Sequence, residues 1–154
     1  MKPRITSTPE DAPAFDVDGM LGGLVKWLRI LGYDAAFPRP KPTSPHRIFV
    51  TTAARKAQAG AVIVTAGHPL RQLAEVLQQA EIEPDETLFF TRCILCNEPV
   101  DPIPAEEVHG KVPEYIFRSV GEFTACPKCG RIYWEGSHLG RVKRRLHALE
   151  AADE

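Results

Sequence analysis

Cys93-Ile-Leu-Cys96 and Cys126-Pro-Lys-Cys129 contain all four cysteines of this chain. The two pairs have the same Cys-x-x-Cys spacing, and both lie in the stretch from Arg92 to Trp134. A Cys-x-x-Cys turn places two thiolates on one side of a tight loop, and two facing turns complete the tetrahedral sulfur shell that Zn²⁺ prefers. Asn97 and Gly130 follow the two pairs. Both residue types tolerate the left-handed backbone that lets a chain curl round a metal. The motif therefore predicts a metal site whose ligands are Cys93, Cys96, Cys126 and Cys129.

Two disulfides or a redox-active Cys-x-x-Cys site are the alternatives to this metal site. We see no signal peptide at the start of the chain, so an oxidising compartment is not expected. A redox motif is expected once, beside a strand and helix, and not twice. Four thiolates leave no open position for substrate or water, so the predicted Zn²⁺ is structural. The segment between the pairs, residues 97–125, is long enough to carry a hairpin or loop of its own.

The composition is that of a globular protein, with 44% apolar and 25% charged residues in 154 positions. No apolar run approaches the length of a membrane span, so we expect a cytoplasmic protein with no membrane partner. We expect a disordered lead-in at 1–13, an α/β domain at 14–87 and a metal-stabilised module at 88–150. Such a module can be short because metal binding supplies folding free energy.

Apolar patterning predicts alternating strands and helices before the first cysteine pair. The predicted strands are Ala14–Val17, Tyr33–Phe37, Arg47–Thr52 and Ala61–Thr65. The predicted helices are Met20–Leu31, Ala53–Ala59 and one that begins at Pro69. This alternation predicts a parallel sheet with flanking helices. A last helix is predicted by the apolar stripe of Leu139, Val142, Leu146 and Leu149, and it is expected to pack on the metal module or on the α/β domain.

Basic residues are concentrated near the end of a chain whose formal net charge is −1. The segment from Cys126 to His147 has six Lys or Arg against one acid, Glu135. Such a segment is either a solvated helix face or a contact for RNA phosphates. The RNA-binding candidates are Lys128, Arg131, Arg141, Arg144 and Arg145. Trp27 is expected to bury its ring beside the first helix, with stacking on a base as the alternative.

Three groups of residues resemble the Mut-seven carboxy-terminal RNase domain family. They are Asp18-Gly-Met-Leu-Gly-Gly-Leu-Val-Lys-Trp27-Leu-Arg-Ile-Leu-Gly-Tyr33-Asp34, then Arg92-Cys-Ile-Leu-Cys-Asn97 with Val112-Pro-Glu-Tyr115, and Cys126-Pro-Lys-Cys-Gly-Arg-Ile-Tyr-Trp134-Glu-Gly-Ser-His138. The similarity spans about Phe15 to Arg145. It implies a PIN-like α/β domain joined to a zinc ribbon, and a ribonuclease that uses Mg²⁺ or Mn²⁺ held by carboxylates at the ends of parallel strands.

Asp18 stands where the resemblance implies a catalytic carboxylate, at the end of the first strand. Its alternative role is to cap the following helix. Asp34 and Asp16 are weaker candidates, and Asp34 is alternatively a turn residue. Asp16 and Asp18 are not expected to share one site, because Asp18 already lies in the turn.

The chain departs from the family pattern where further carboxylates are expected. The proline-rich segment Pro38–Pro45 replaces an acidic helix, and Ala53 replaces an aspartate after the third strand. Gly67 and His68 stand where acids are again common; His68 is either a base for metal-independent cleavage or a solvated loop residue. Cation affinity falls steeply as carboxylates are removed, so whether the chain is an enzyme stays open, and weak or lost nuclease activity is expected.

Three functions follow from these observations. The first is a metal-dependent ribonuclease in which Asp18 is the surviving ligand. The second is a non-catalytic module that binds RNA or a ribonucleoprotein partner. The third is a protein-interaction ribbon with no nucleic-acid role. The sequence does not indicate an oligomeric state.

Overall fold

The first half of the chain forms a four-stranded parallel sheet with flanking helices. The structure is a computed structural model that describes residues 12–57, 60–134 and 137–152. Within the last of these ranges, side chains are described for residues 140–148. Its elements are β1 (Ala14–Val17), α1 (Gly22–Ile30), β2 (Asp34–Ala36), β3 (Arg47–Thr51), β4 (Val62–Ile63) and α2 (Pro69–Gln79). The strand order is β2-β1-β3-β4. The predicted α/β class is confirmed. The expected lead-in falls almost wholly at 1–11, outside the described residues.

One apolar cluster forms between the sheet and its helices. Phe15 and Val17 of β1 and Val50 of β3 are fully buried in it, with the stripes of α1 and α2. Alternation along a strand sends the next residues to the opposite face, where Asp16 is paired in register with Phe49 and both are buried. The proline-rich segment meets this face, because Thr43 donates two hydrogen bonds to Asp16.

Two predicted helices differ from the structure. The first begins at Gly22 instead of Met20, because Asp18 to Leu21 form a turn in which the Leu21 N–H donates to the Asp18 carbonyl. Met20, predicted to lie on the apolar stripe, is 80% exposed. Within Ala53–Ala59, the described residues form only a single 3₁₀ turn at Ala54–Lys56, and 58–59 lie outside them.

Residues 91–134, which we call the ribbon, carry a second sheet. Its antiparallel strands are β5 (Asp101–Ile103), β6 (Phe123–Ala125) and β7 (Ile132–Tyr133), in the order β5-β6-β7. The segment between the cysteine pairs, predicted as a hairpin or loop, also contains the short helices α3 (Ala105–Val108) and α4 (Glu114–Ser119).

The last helix, α5 (Ser137–Ala152), packs on the α/β part. Val142 and Leu146 are buried in the same apolar cluster as α1 and α2. Leu139 and Leu149, the other residues of the predicted stripe, have side chains outside the described set. Among the helices that the structure describes, none combines the length and apolar character needed to cross a bilayer.

Side chains occupy the free backbone groups at both edges of the parallel sheet. At β2, the Ala35 N–H donates to Asn97 Oδ1 at 3.0 Å, and the Ala35 carbonyl accepts from Arg29 Nη2 at 2.8 Å. At β4, the side-chain amide of Gln79 pairs with both the N–H and the carbonyl of Ile63. An exposed strand edge is a template for aggregation, so these contacts protect the sheet. The contact from Asn97 also docks the ribbon on β2.

Candidate functional site

The four cysteines come together as predicted. Their Sγ atoms all lie within 4.8 Å of one another. Cys93 and Cys126 are buried, Cys96 is half-buried and Cys129 is exposed, and none is in a disulfide. Sulfurs at these separations place four ligands round a single ion. They do not divide into two pairs, which counts against the disulfide alternative.

Both cysteine pairs have the same local geometry. The N–H of each first cysteine donates across its turn, from Cys93 to the Glu98 carbonyl and from Cys126 to the Arg131 carbonyl. Asn97 and Gly130 have φ values of 61° and 78°. The left-handed backbone predicted at these two positions is confirmed, and the amide N–H groups of Cys96 and Cys129 point back at the sulfurs.

The electrostatics of the cluster call for a cation. Burial alone would raise the pKa of the Cys93 thiol, but hydrogen bonds from Tyr133 Oη, at 3.1 Å, and from backbone N–H groups lower this pKa to about 6. The neighbouring cysteine sulfurs, Cys129 first among them, raise the pKa of Cys96 to about 12. Four thiolates this close repel one another unless a metal ion compensates their charge. Soft sulfur donors in this number fit a tetrahedral metal such as Zn²⁺.

Asp18 lies at the carboxyl end of β1, and the protein itself satisfies its carboxylate. Thr51 Oγ1 donates to Oδ2 at 2.7 Å, and the Gly19 N–H donates to Oδ1 at 2.8 Å. Lys56 Nζ lies 3.3 Å from both oxygens. Burial acts to raise the pKa of Asp18, but these hydrogen bonds outweigh it and the pKa is lowered. The capping alternative is wrong, because Leu21 occupies the N-cap position of α1.

Asp16 and Asp34 are both bound by Arg47, away from Asp18. Arg47 Nε donates to Asp16 Oδ1 at 2.9 Å, and its two terminal nitrogens donate to the two oxygens of Asp34 at 2.8 and 2.9 Å. Asp34 Oδ1 also accepts from Asn97 Nδ2 at 2.7 Å. Asp34 is the first residue of β2 and not a turn residue. Among the residues that the structure describes, Asp16 and Asp18 share no hydrogen-bond partner, in line with the expectation that they do not form one site.

These carboxylates do not fit the divalent ions that the resemblance implies. Across 12–57, 60–134 and 137–152, the four cysteines form the only group of three or more His, Cys, Asp or Glu side chains close enough to hold an ion. Ala53 lies beside the Asp18 site, with its N–H 3.1 Å from Thr51 Oγ1, and it brings no carboxylate there. A phosphodiester clamp of two ions needs oxygen ligands from several acids.

The other predicted residues lie apart from the Asp18 carboxylate. His68 caps α2, where its Nδ1 accepts from the Leu70 N–H. Trp27 is half-buried against the apolar cluster, and the Arg145 guanidinium lies 5.8 Å from its ring centroid. The basic candidates are all exposed but belong to two elements: Lys128 and Arg131 to the ribbon, and Arg141, Arg144 and Arg145 to α5.

Lys56, Arg47 and Tyr133 take part in these sites but are not among the site residues that the sequence predicts. Lys56 reaches Asp18 from the 3₁₀ turn after β3, and Arg47 joins two acids from other strands. No local pattern marks either residue. Tyr133, on β7, follows Cys129 closely in the sequence, and this proximity to the second cysteine pair is a usable signal.

Acid is expected to weaken the contact between β2 and the ribbon. The hydrogen bonds from Arg47 lower the pKa of Asp34 from 3.8 to about 2, against the opposing effect of burial. A carboxyl whose folded pKa is depressed stabilises the fold above its unfolded pKa, and this contribution is lost as the pH falls toward the folded value. As the pH is lowered from about 5 to 2, the urea concentration at the midpoint of unfolding should fall less steeply for Asp34→Asn than for wild type. Asp101→Asn, at an exposed carboxylate of β5, is the control. Equal slopes for all three proteins would contradict the expectation.

Comparison with known proteins gives one match. The family model for the Mut7-C RNAse domain matches residues 13–146, which is most of the chain. No curated protein and no solved structure matched the chain. The match extends over the parallel sheet, the ribbon and most of α5. This chain therefore belongs to the Mut7-C RNAse domain family.

Proposed function

We propose that this chain is an RNA-binding member of its family whose acidic site does not support metal-dependent cleavage. The observation that carries this proposal is the Lys56 ammonium, which lies 3.3 Å from both oxygens of Asp18. It neutralises the carboxylate on the side from which a chelated cation would approach. The second cation, Arg47, neutralises Asp16 and Asp34 in the same way.

RNA as the partner is supported by the family and by the distribution of charge. Lys128 and Arg131 are exposed on the ribbon, and Arg141, Arg144 and Arg145 are exposed on α5. Lysine and arginine side chains bind phosphates through contacts that weaken with salt. A ribonucleoprotein in which RNA is already present would offer the same phosphates.

The ribbon is proposed to hold one structural Zn²⁺ through Cys93, Cys96, Cys126 and Cys129. When bound, this ion supplies folding free energy, and four thiolates leave it no open position for chemistry. Tyr133 on β7 then donates a hydrogen bond to the Cys93 sulfur. Asn97, at the end of the first cysteine turn, accepts a hydrogen bond from the Ala35 N–H and so links this turn to the edge of β2.

A metal-dependent ribonuclease is the second candidate function. Asp18 favours it, because this residue is buried at the carboxyl end of a parallel strand and the pKa of its carboxyl is lowered. Cleavage would require a divalent ion to displace Lys56 and to recruit further ligands.

The deciding experiment incubates the full chain with a labelled mixed RNA pool and Mg²⁺ or Mn²⁺, beside an Asp18→Asn variant prepared identically. We expect RNA to be bound and no cleavage above that of the variant. Changing Arg141, Arg144 and Arg145 to glutamine should weaken binding and flatten its salt dependence. Cleavage that disappears in Asp18→Asn would establish the ribonuclease instead. Absence of any RNA complex at low salt would favour the protein-interaction ribbon.

A restored site provides the positive control for the metal arm. The double variant Ala53→Asp, Lys56→Ala adds a carboxylate beside Thr51 and removes the ammonium from Asp18. Mn²⁺ should bind this variant more tightly than wild type. Equal affinity for Mn²⁺ would show that Lys56 does not block the site.

A further inference from the structure

A cavity lies where the ribbon meets the segment that follows the α/β part. Its volume is about 490 Å³, within the range of small-ligand sites. Its wall is formed by Thr87 and residues 89–91, by Val100 and Pro102 at β5, by Tyr133 and Trp134 at β7, and by residues 119–122 with Thr124. None of the aspartates or cysteines described above lines it, but Tyr133, which donates to the Cys93 sulfur, does.

The wall contains four aromatic rings. Phe89, Phe90, Tyr133 and Trp134 all line it. Phe123 braces Trp134 in an edge-to-face contact with ring centroids 6.3 Å apart. Rings held in this way offer stacking surfaces, and stacking on aromatic side chains is how proteins bind the bases of single-stranded RNA.

Phe90 contributes its ring from a strained backbone. Its φ is 61°, in the left-handed region that bulky residues rarely adopt, and its N–H donates to the Ile30 carbonyl at 2.9 Å. Such strain persists where the surrounding structure imposes it, and it is concentrated at functional sites. In this conformation the Phe90 backbone is hydrogen-bonded to α1 at Ile30, and Phe90 lines the cavity.

The charges round the cavity suit a base inside and phosphates outside. Glu122 is the one charged residue of the described wall, and a carboxylate repels phosphate but accepts hydrogen bonds from base amino groups. The Arg131 guanidinium lies 5.9 Å from the centroid of the Tyr133 ring, and Lys128 is exposed on the same ribbon turn. Arg131 lies beside a ring of the cavity wall, so its guanidinium is within reach of the phosphates next to a base that enters the cavity.

We propose that this cavity binds a nucleobase of single-stranded RNA, stacked against the ring of Trp134. The proposal rests on the RNA-binding function proposed above and names the site where that RNA is held. It assigns the base contact to the ribbon and not to the Asp18 edge of the parallel sheet. Trp27, the other tryptophan, lies on α1 under Arg145 and has no part in it.

The test follows the two indole N–H signals of the zinc-loaded, ¹⁵N-labelled full chain by NMR. Separate titrations use a short unstructured RNA, the nucleoside monophosphates and an unstructured peptide of mixed composition. We expect the Trp134 signal to shift with RNA and with nucleotides. The Trp27 signal should shift less, because its ring meets RNA only through the Arg145 guanidinium 5.8 Å away. Trp134→Ala should weaken RNA binding about tenfold. Tyr115→Ala, at a ring that is 71% exposed on α4, should leave the affinity within about twofold.

Each outcome separates this proposal from the function on which it rests. RNA binding with an unmoved Trp134 signal and an unaffected Trp134→Ala variant would overturn the cavity assignment and leave the RNA-binding function intact. If RNA does not bind, that function fails, and the nucleotide titration still decides the cavity. No shift of Trp134 with any nucleotide overturns the proposal. A shift with peptide alone overturns it in favour of a protein partner.

Discussion

Replacing Cys93 and Cys126 with serine is expected to release the metal and to unfold the ribbon. This double variant removes the two buried ligands, one from each turn, and a tetrahedral thiolate site does not tolerate the loss of half its ligands. Metal binding contributes about 10 kcal/mol or more to the folding of zinc-finger peptides. The ribbon's own strands have two or three residues each and cannot replace that contribution. Metal content by mass spectrometry and backbone NMR spectra measure the two effects.

The unfolding is expected to reach the edge of the parallel sheet but not its core. The hydrogen bonds from the Ala35 N–H to Asn97 and from Arg29 to the Ile94 carbonyl would be lost. The apolar cluster of α1 and α2 would keep its contacts. Leu95→Ser is the matched control, since Leu95 lies in the first turn, is 63% exposed and is not a ligand. A metal-free double variant with a fully folded ribbon would show that the site is not structural.

Replacing Arg47 with alanine is expected to destabilise the α/β part by about 3–5 kcal/mol. Asp16, whose side chain is 0% exposed, loses its closest cation, and the Phe15 carbonyl loses a donor at 2.7 Å. A buried charge without its partner costs far more than a surface ion pair contributes. Urea denaturation measures the change as a lower midpoint.

Two further variants distinguish the cost of leaving a buried charge without Arg47 from the cost of losing packing contacts. Arg118→Ala breaks the exposed pair with Glu114 on α4 and should cost less than about 1 kcal/mol. Asp16→Asn in the Arg47→Ala background removes the buried charge, which is left with the more distant Arg39 at 3.9 Å as its cation, and should recover part of the lost stability. An Arg47→Ala midpoint equal to that of wild type, or no recovery in the double variant, would contradict this account.

Local patterns account for the parts of the fold that the sequence predicted well. The Cys-x-x-Cys spacing, with Asn97 and Gly130 after the pairs, determines the turns because backbone conformation and ligand direction depend on neighbouring residues only. The alternation of strands and helices determined the α/β class in the same way. One of its errors is at a boundary: the spacing of Met20 fits a helix, but the turn at Asp18 delays the helix to Gly22.

Only the tertiary structure decided what the three aspartates do. The sequence by itself showed that Asp18 follows a strand and that Ala53 lacks a carboxylate. It did not show that Lys56 neutralises Asp18, or that Arg47 joins Asp16 on β1 to Asp34 on β2. These pairs link residues far apart in the chain, and they form because the crossovers place β1 between β2 and β3. Local propensity carries no information about such a juxtaposition, since it depends on strand order and on the docking of the ribbon at β2.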